Sequence, residues 1–83
     1  MSRVTEDMLV ELVELCEQYR YQDNEAELPQ ALITKIGQLL AQGVVIDHLA
    51  QEMEGYVADC RVFEVEDWEA LKTAFVHFGV ELK

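Results

Sequence analysis

Apolar residues recur every three or four positions near the start of the chain. Met8, Leu12 and Leu15 follow this spacing, and the acids Glu11 and Glu14 lie between them. The pattern is typical of an amphipathic helix that buries one side. Thr5 suits the N-cap position, and the acids that follow it suit the positive end of the helix dipole. We therefore predict a helix from about Thr5 to Tyr21.

Three later segments show the same helical spacing. Pro29 suits the first turn of a second helix, and Gly43 suits the position just after its end. The apolar residues predict helices over about residues 28–42, 47–60 and 65–79.

Four apolar helix faces in 83 residues predict a single all-α domain, residues 1–83. The expected architecture is a compact bundle of about four short amphipathic helices. Residues 61–65 alternate between polar and apolar types, which raises the alternative of a minor two-stranded ribbon with residues 79–83. An isolated ribbon is marginal in water, so we favour a frayed tail for residues 79–83.

Charge is distributed unevenly over these helices, and the net charge is -11. Residues 1–27 hold eight acids and two bases, residues 28–46 hold Lys35 as their sole charge, and residues 47–83 hold nine acids and three bases. So acidic a chain repels phosphates and anionic lipid headgroups, which argues against direct binding to nucleic acid or a membrane. A second helix surrounded by the others would lack acids because a buried carboxylate loses its hydration.

Acidic residues form rows that a partner could contact. Asp7, Glu11 and Glu14 lie about one turn apart on one helix face, and we name them the acidic row. Two further clusters are Glu64, Glu66, Asp67 and Glu69, and Asp23, Glu25 and Glu27. A solvated face that only keeps a small protein in solution has the same pattern. Three clusters in one small chain favour a basic protein partner, which such charge would attract.

The outer side of the second helix is polar but carries no acid. Its residues are Gln30, Thr34, Gln38 and Gln42, which we name the uncharged row. The centres of protein interfaces are depleted of charge, so this row is a predicted interface with another protein or with a second copy of the chain. Tyr21, expected to be exposed at the end of the first helix, is a candidate interface anchor.

Motifs of enzymes and metal sites are absent from the sequence, which has no phosphate-binding glycine motif, no H-E-x-x-H and no C-x-x-C. Cys16 and Cys60 fall on apolar helix faces, whereas His48 and His77 fall on polar ones. The four side chains point apart and do not suit zinc. We therefore expect no catalytic residues, no metal and no cofactor. The acids near the start argue against a signal peptide, so we expect a cytoplasmic protein with reduced cysteines.

In size, acidity and helical content the chain resembles small inhibitor and immunity proteins of bacteria and phages, including DNA mimics. The resemblance is one of composition, and it carries no residue assignment. We expect a small acidic, non-enzymatic regulator or inhibitor that docks on a basic surface of a partner protein, such as a nucleic-acid-binding one. The alternative is a structural or assembly subunit, or a homodimer that pairs through the uncharged face of helix 28–42.

Overall fold

A computed structural model describes residues 3–59 and 64–82 of the chain. Within these residues, the backbone forms four α-helices, with a single 3-10 turn, Glu25–Glu27, before the second helix. The helices are α1 (Glu6–Tyr21), α2 (Leu28–Ala41), α3 (Ile46–Asp59) and α4 (Val65–His77). The prediction of an all-α helical bundle is confirmed.

Helices α1 and α4 begin where side chains accept hydrogen bonds from free backbone N–H groups. The Thr5 hydroxyl accepts from the backbone N–H of Met8 at 3.4 Å, and two acids occupy the first turn of α1. At the start of α4 the Asp67 carboxylate accepts from the backbone N–H of Glu64, also at 3.4 Å. Helix α3 starts at Ile46, so Asp47 lies in its first turn and not at the N-cap position predicted for it.

Glycines end α2 and α4 in the same way. Gly43 and Gly79 have φ angles of 98° and 82°, which lie in the left-handed region. After α2 the Val44 N–H donates to the carbonyl of Leu39 at 3.2 Å, which closes the turn. The predicted helix stop at each glycine is confirmed.

Helix α2 is the central element of the bundle, because it packs against both α1 and α4. Its buried residues are Leu28, Leu32, Ile36 and Leu39. They join a core with large buried side chains from the other helices, including Leu12, Met53, Leu71 and Phe75. The buried side of α2 has no solvent to hydrate a carboxylate, which accounts for the absence of acids on that side.

The minor ribbon considered for the C-terminal part of the chain is not seen among residues 64–82. Val65 is the first residue of α4, and residues 79–82 contain no strand. The predicted end of the third helix at Cys60, and residues 61–63 of the ribbon, lie outside the described residues.

A substitution at Gly37 tests how tightly α2 packs against the end of α4. A methyl group added at Gly37 would lie 4.0 Å from the ring of Phe78, which is an ordinary contact distance. Gly37→Ala should therefore raise the free energy of unfolding by about 0.5–1 kcal/mol, because alanine loses less backbone entropy than glycine in a helix. Urea denaturation followed by circular dichroism measures the change.

Gly79→Ala is the matched control for this prediction. Its added methyl group would meet no atom within 4 Å, but the backbone has a φ of +82°. This variant should lose about 1 kcal/mol of stability, because a side chain is strained in the left-handed region. Equal destabilisation by the two variants would contradict the spacing between Gly37 and Phe78.

Candidate functional site

The acidic row lies exposed along α1. Asp7, Glu11 and Glu14 are all exposed. Glu11 forms an ion pair with Lys35 of α2, with 2.8 Å between Oε2 and Nζ. This pair joins the acidic row to the outer side of α2.

A groove of about 530 Å³ lies between α1 and α2. Its lining consists of Leu15 and Tyr19 from α1, Glu27 at the end of the 3-10 turn, and Gln30, Ala31, Thr34, Lys35 and Gln38 from α2. We name this the α1–α2 groove. Half-buried Leu15, Tyr19 and Ala31 supply its apolar surface, and the acidic side chain of Glu27 is exposed.

The uncharged row forms much of the α2 side of this groove. Gln30, Thr34 and Gln38 line it and are exposed, whereas Gln42 lies beyond it at the C-cap of α2. The sequence indicated the row but not the apolar surface beside it. Two helix faces form that surface, and the sequence pattern does not show which faces adjoin.

Tyr21 is 79% exposed at the C-terminal end of α1 and does not line the α1–α2 groove. The guanidinium carbon of Arg20 lies 5.6 Å from the centre of the Tyr21 ring, a separation typical of a cation–π contact. The structure therefore separates Tyr21 from the uncharged row and associates it with Arg20.

Arg20 also pairs with Asp67 and so connects the end of α1 to the first turn of α4. Asp67 is only 1% exposed, so it does not belong to the surface cluster in which the sequence placed it. Burial acts to lower the pKa of Arg20, but the hydrogen bond and negative charge of Asp67 outweigh burial and raise that pKa above its ordinary value. The guanidinium stays charged and neutralises the buried carboxylate.

The sequence carried one overlooked signal for this ion pair. Arg20 is the sole base among residues 6–27, a segment that is otherwise strongly acidic. Its partner lies 47 positions away, beyond the reach of any local pattern.

The other members of the second acidic cluster are exposed around the start of α4. They are Glu64, Glu66 and Glu69. The third cluster, Asp23, Glu25 and Glu27, is exposed in and before the 3-10 turn. The structure thus leaves all members of the clusters except Asp67 on the surface.

Cys16 is buried between the helices as a free thiol. Burial, reinforced by the negative charge of Asp67, raises the pKa of Cys16 to about 12. His48 and His77 are both exposed. Over residues 3–59 and 64–82, no three His, Cys, Asp or Glu residues cluster in a way that could hold a metal ion. In the same part of the chain, no helix is both long and apolar enough to span a membrane.

Comparison with known proteins adds no relative. No family model, no curated protein and no solved structure matches the chain. Function has to be inferred from the geometry and charge of the chain itself.

The buried ion pair predicts a large loss of stability in Arg20→Met. The substitution leaves the Asp67 carboxylate buried without its cation, so the free energy of unfolding should fall by about 3–5 kcal/mol. Lys35→Met is the matched control, because it breaks the exposed pair with Glu11 and should cost less than about 1 kcal/mol. Urea titrations of both variants measure the difference, and equal losses would contradict the structural role of Arg20.

The raised pKa of Cys16 predicts a thiol that is inert in the folded protein. At pH 8 a thiol with a pKa of about 12 is almost entirely protonated, and only the thiolate is nucleophilic. Iodoacetamide should therefore modify Cys16 far more slowly in buffer than in urea, as measured by peptide mass spectrometry. Equal rates in the two solvents would show that Cys16 is accessible in the folded chain.

Proposed function

We propose that this protein is a small acidic, non-enzymatic regulator or inhibitor that docks on a basic surface of a partner protein. The observation that carries the proposal is the exposure of its carboxylates: 14 of the 17 acidic residues are exposed. Two of the bases, Arg20 and Lys35, are already engaged by acids of the same chain. Much of the negative charge thus faces solvent, where a cationic surface would relieve its mutual repulsion.

Two surfaces suit this docking. The acidic row lies along α1, and Glu64, Glu66 and Glu69 surround the start of α4. The charges would attract a basic partner from a distance and set its orientation, which mainly raises the association rate. Exposed Tyr21 would supply close contact, because tyrosines often carry a large share of interface energy.

A nucleic-acid-binding protein is a suitable class of target. Its binding surface is rich in Lys and Arg that contact phosphates. A row of carboxylates one helical turn apart offers such a surface a regular series of negative charges in place of phosphates. We place this activity in the cytosol, where a free thiol such as Cys16 stays reduced.

The alternative is an assembly role, in which α2 pairs with its twin in a homodimer or with another subunit. The specific observation in its favour is that Gln30, Thr34 and Gln38 are exposed without charge beside apolar surface. Amide side chains both donate and accept hydrogen bonds, so such a row is complementary to itself. The net charge of -11 opposes this pairing.

Capture from a lysate of source cells, at low and at high salt, tests the proposal. A basic protein should be retained at low salt and released at high salt, because salt screens the attraction. With that protein purified, Asp7→Lys combined with Glu14→Lys should weaken binding by about tenfold or more and flatten its salt dependence.

Glu52→Lys combined with Glu81→Lys is the control, because it changes the net charge equally at exposed acids outside the two docking surfaces. It should weaken binding much less than the change on α1. Wild-type affinity in the α1 variant would reject docking through the acidic row. Absence of any basic partner at either salt would favour the assembly role.

A further inference from the structure

We infer that the α1–α2 groove is the seat for an amphipathic basic helix of the partner protein. The inference rests on the proposed function, since it assumes a basic partner. It adds that the partner makes its apolar contact in this groove and does so with a helix. Helix-in-groove recognition requires apolar surface between two walls, and here the walls are α1 and α2.

The base of the groove offers apolar surface that the fold leaves uncovered. Leu15 and Tyr19 contact the core at one side and remain half-buried at the groove, and Ala31 is small enough to allow close approach. The volume, about 530 Å³, lies within the range of sites that bury apolar groups of a ligand. Apolar side chains projecting from one stripe of a helix would fill such a space.

Charge around the groove favours one kind of helix. Exposed Glu27 lines the groove at the start of α2, and exposed Glu11 of α1 pairs with Lys35 of the groove lining. The α2 wall presents the uncharged row together with Lys35. A partner helix whose apolar stripe is flanked by Lys or Arg would place its cations against these acids. Other polar side chains of that helix would contact the uncharged row.

Lys35 lies at the contact between these two walls and has a consequence of its own. Its ammonium group already forms an ion pair with the Glu11 carboxylate, to which a cation of the partner would otherwise bind. A basic helix must compete with Lys35 for that carboxylate. Removing Lys35 should therefore strengthen binding of such a helix more than removing a lysine elsewhere on the protein does.

A second copy of the chain fits the groove less well than a basic helix does. Each copy has a net charge of -11, and α1 to α4 contain three bases against many acids. None of the four is a basic amphipathic helix, so a second copy would place like charges together.

The test uses a synthetic peptide of about 18 residues, built from Leu and Lys as an amphipathic helix, and the full-length chain. Calorimetry measures affinity, and amide chemical shifts locate the site. We expect shifts centred on the groove residues Leu15, Ala31 and Thr34. Ala31→Trp should fill the groove and weaken binding by about tenfold or more, whereas Ala58→Trp, at an exposed position on α3, should change it by less than about twofold.

Lys35→Met should tighten peptide binding by about threefold or more, compared with a smaller gain in Lys72→Met, which removes the same charge from α4. Circular dichroism verifies that each variant folds. Thr34→Trp, at an exposed position of the rim, replaces Ala31→Trp if the latter unfolds.

Three outcomes would overturn the inference. The first is no binding of the peptide by the wild-type chain at low salt. The second is wild-type peptide affinity in Ala31→Trp or its replacement Thr34→Trp, with chemical-shift changes at the acidic residues alone. This outcome would show that the peptide docks on the acids and does not enter the groove. The third is a wild-type chain that sediments as a dimer and becomes a monomer in Ala31→Trp, which would assign the groove to a second copy. Failure of the proposed function is recognised separately, by the absence of any basic partner in the lysate capture at either salt.

Discussion

A carboxylate must stay in water or find a cation, and this constraint organises the whole molecule. The chain has 17 acids and six bases, so cations are too few to neutralise most of the acids inside the fold. The acids therefore lie on the surface, and α2, which packs against two other helices, carries none. The buried exception, Asp67, is paired with Arg20. A small core tolerates an unpaired buried charge poorly, because the net stability of a folded protein is only about 5–15 kcal/mol.

The same constraint shapes the surface on which the functional proposal rests. Acids excluded from the core crowd the outer sides of α1 and the start of α4, where their repulsion costs some stability. Apolar surface of the α1–α2 groove adjoins Glu27, Lys35 and the uncharged row. That combination suits a partner that is basic on one edge and apolar on another.

Two internal ion pairs have different roles in this arrangement. Arg20 and Asp67 connect α1 to α4, and the low exposure of Asp67 makes that pair part of the tertiary structure. Lys35 and Glu11 join the two walls of the groove in a more exposed position, where water and salt weaken the pair. The first pair holds the helices together, whereas the second is open to competition from an incoming cation.

Local pattern was enough to predict the helices, because caps, stops and apolar spacing act within a few residues. Thr5 accepts the hydrogen bond expected of an N-cap, and Gly43 and Gly79 adopt the left-handed turns expected after α2 and α4. The sequence also indicated the exposed uncharged row, since a helix period separates its inner and outer sides.

What the sequence could not decide is which helix faces adjoin. Asp67 was placed with exposed acids because its neighbours are acidic, and only the approach of α1 brings Arg20 to it. The α1–α2 groove has the same origin, since residues 15 and 31 show no relation until two helices pack side by side. The considered ribbon is not seen in the part of the chain that the structure describes, where Val65 begins α4. Helical periodicity defines the face of each residue, whereas pairing between faces depends on the packing of the whole chain.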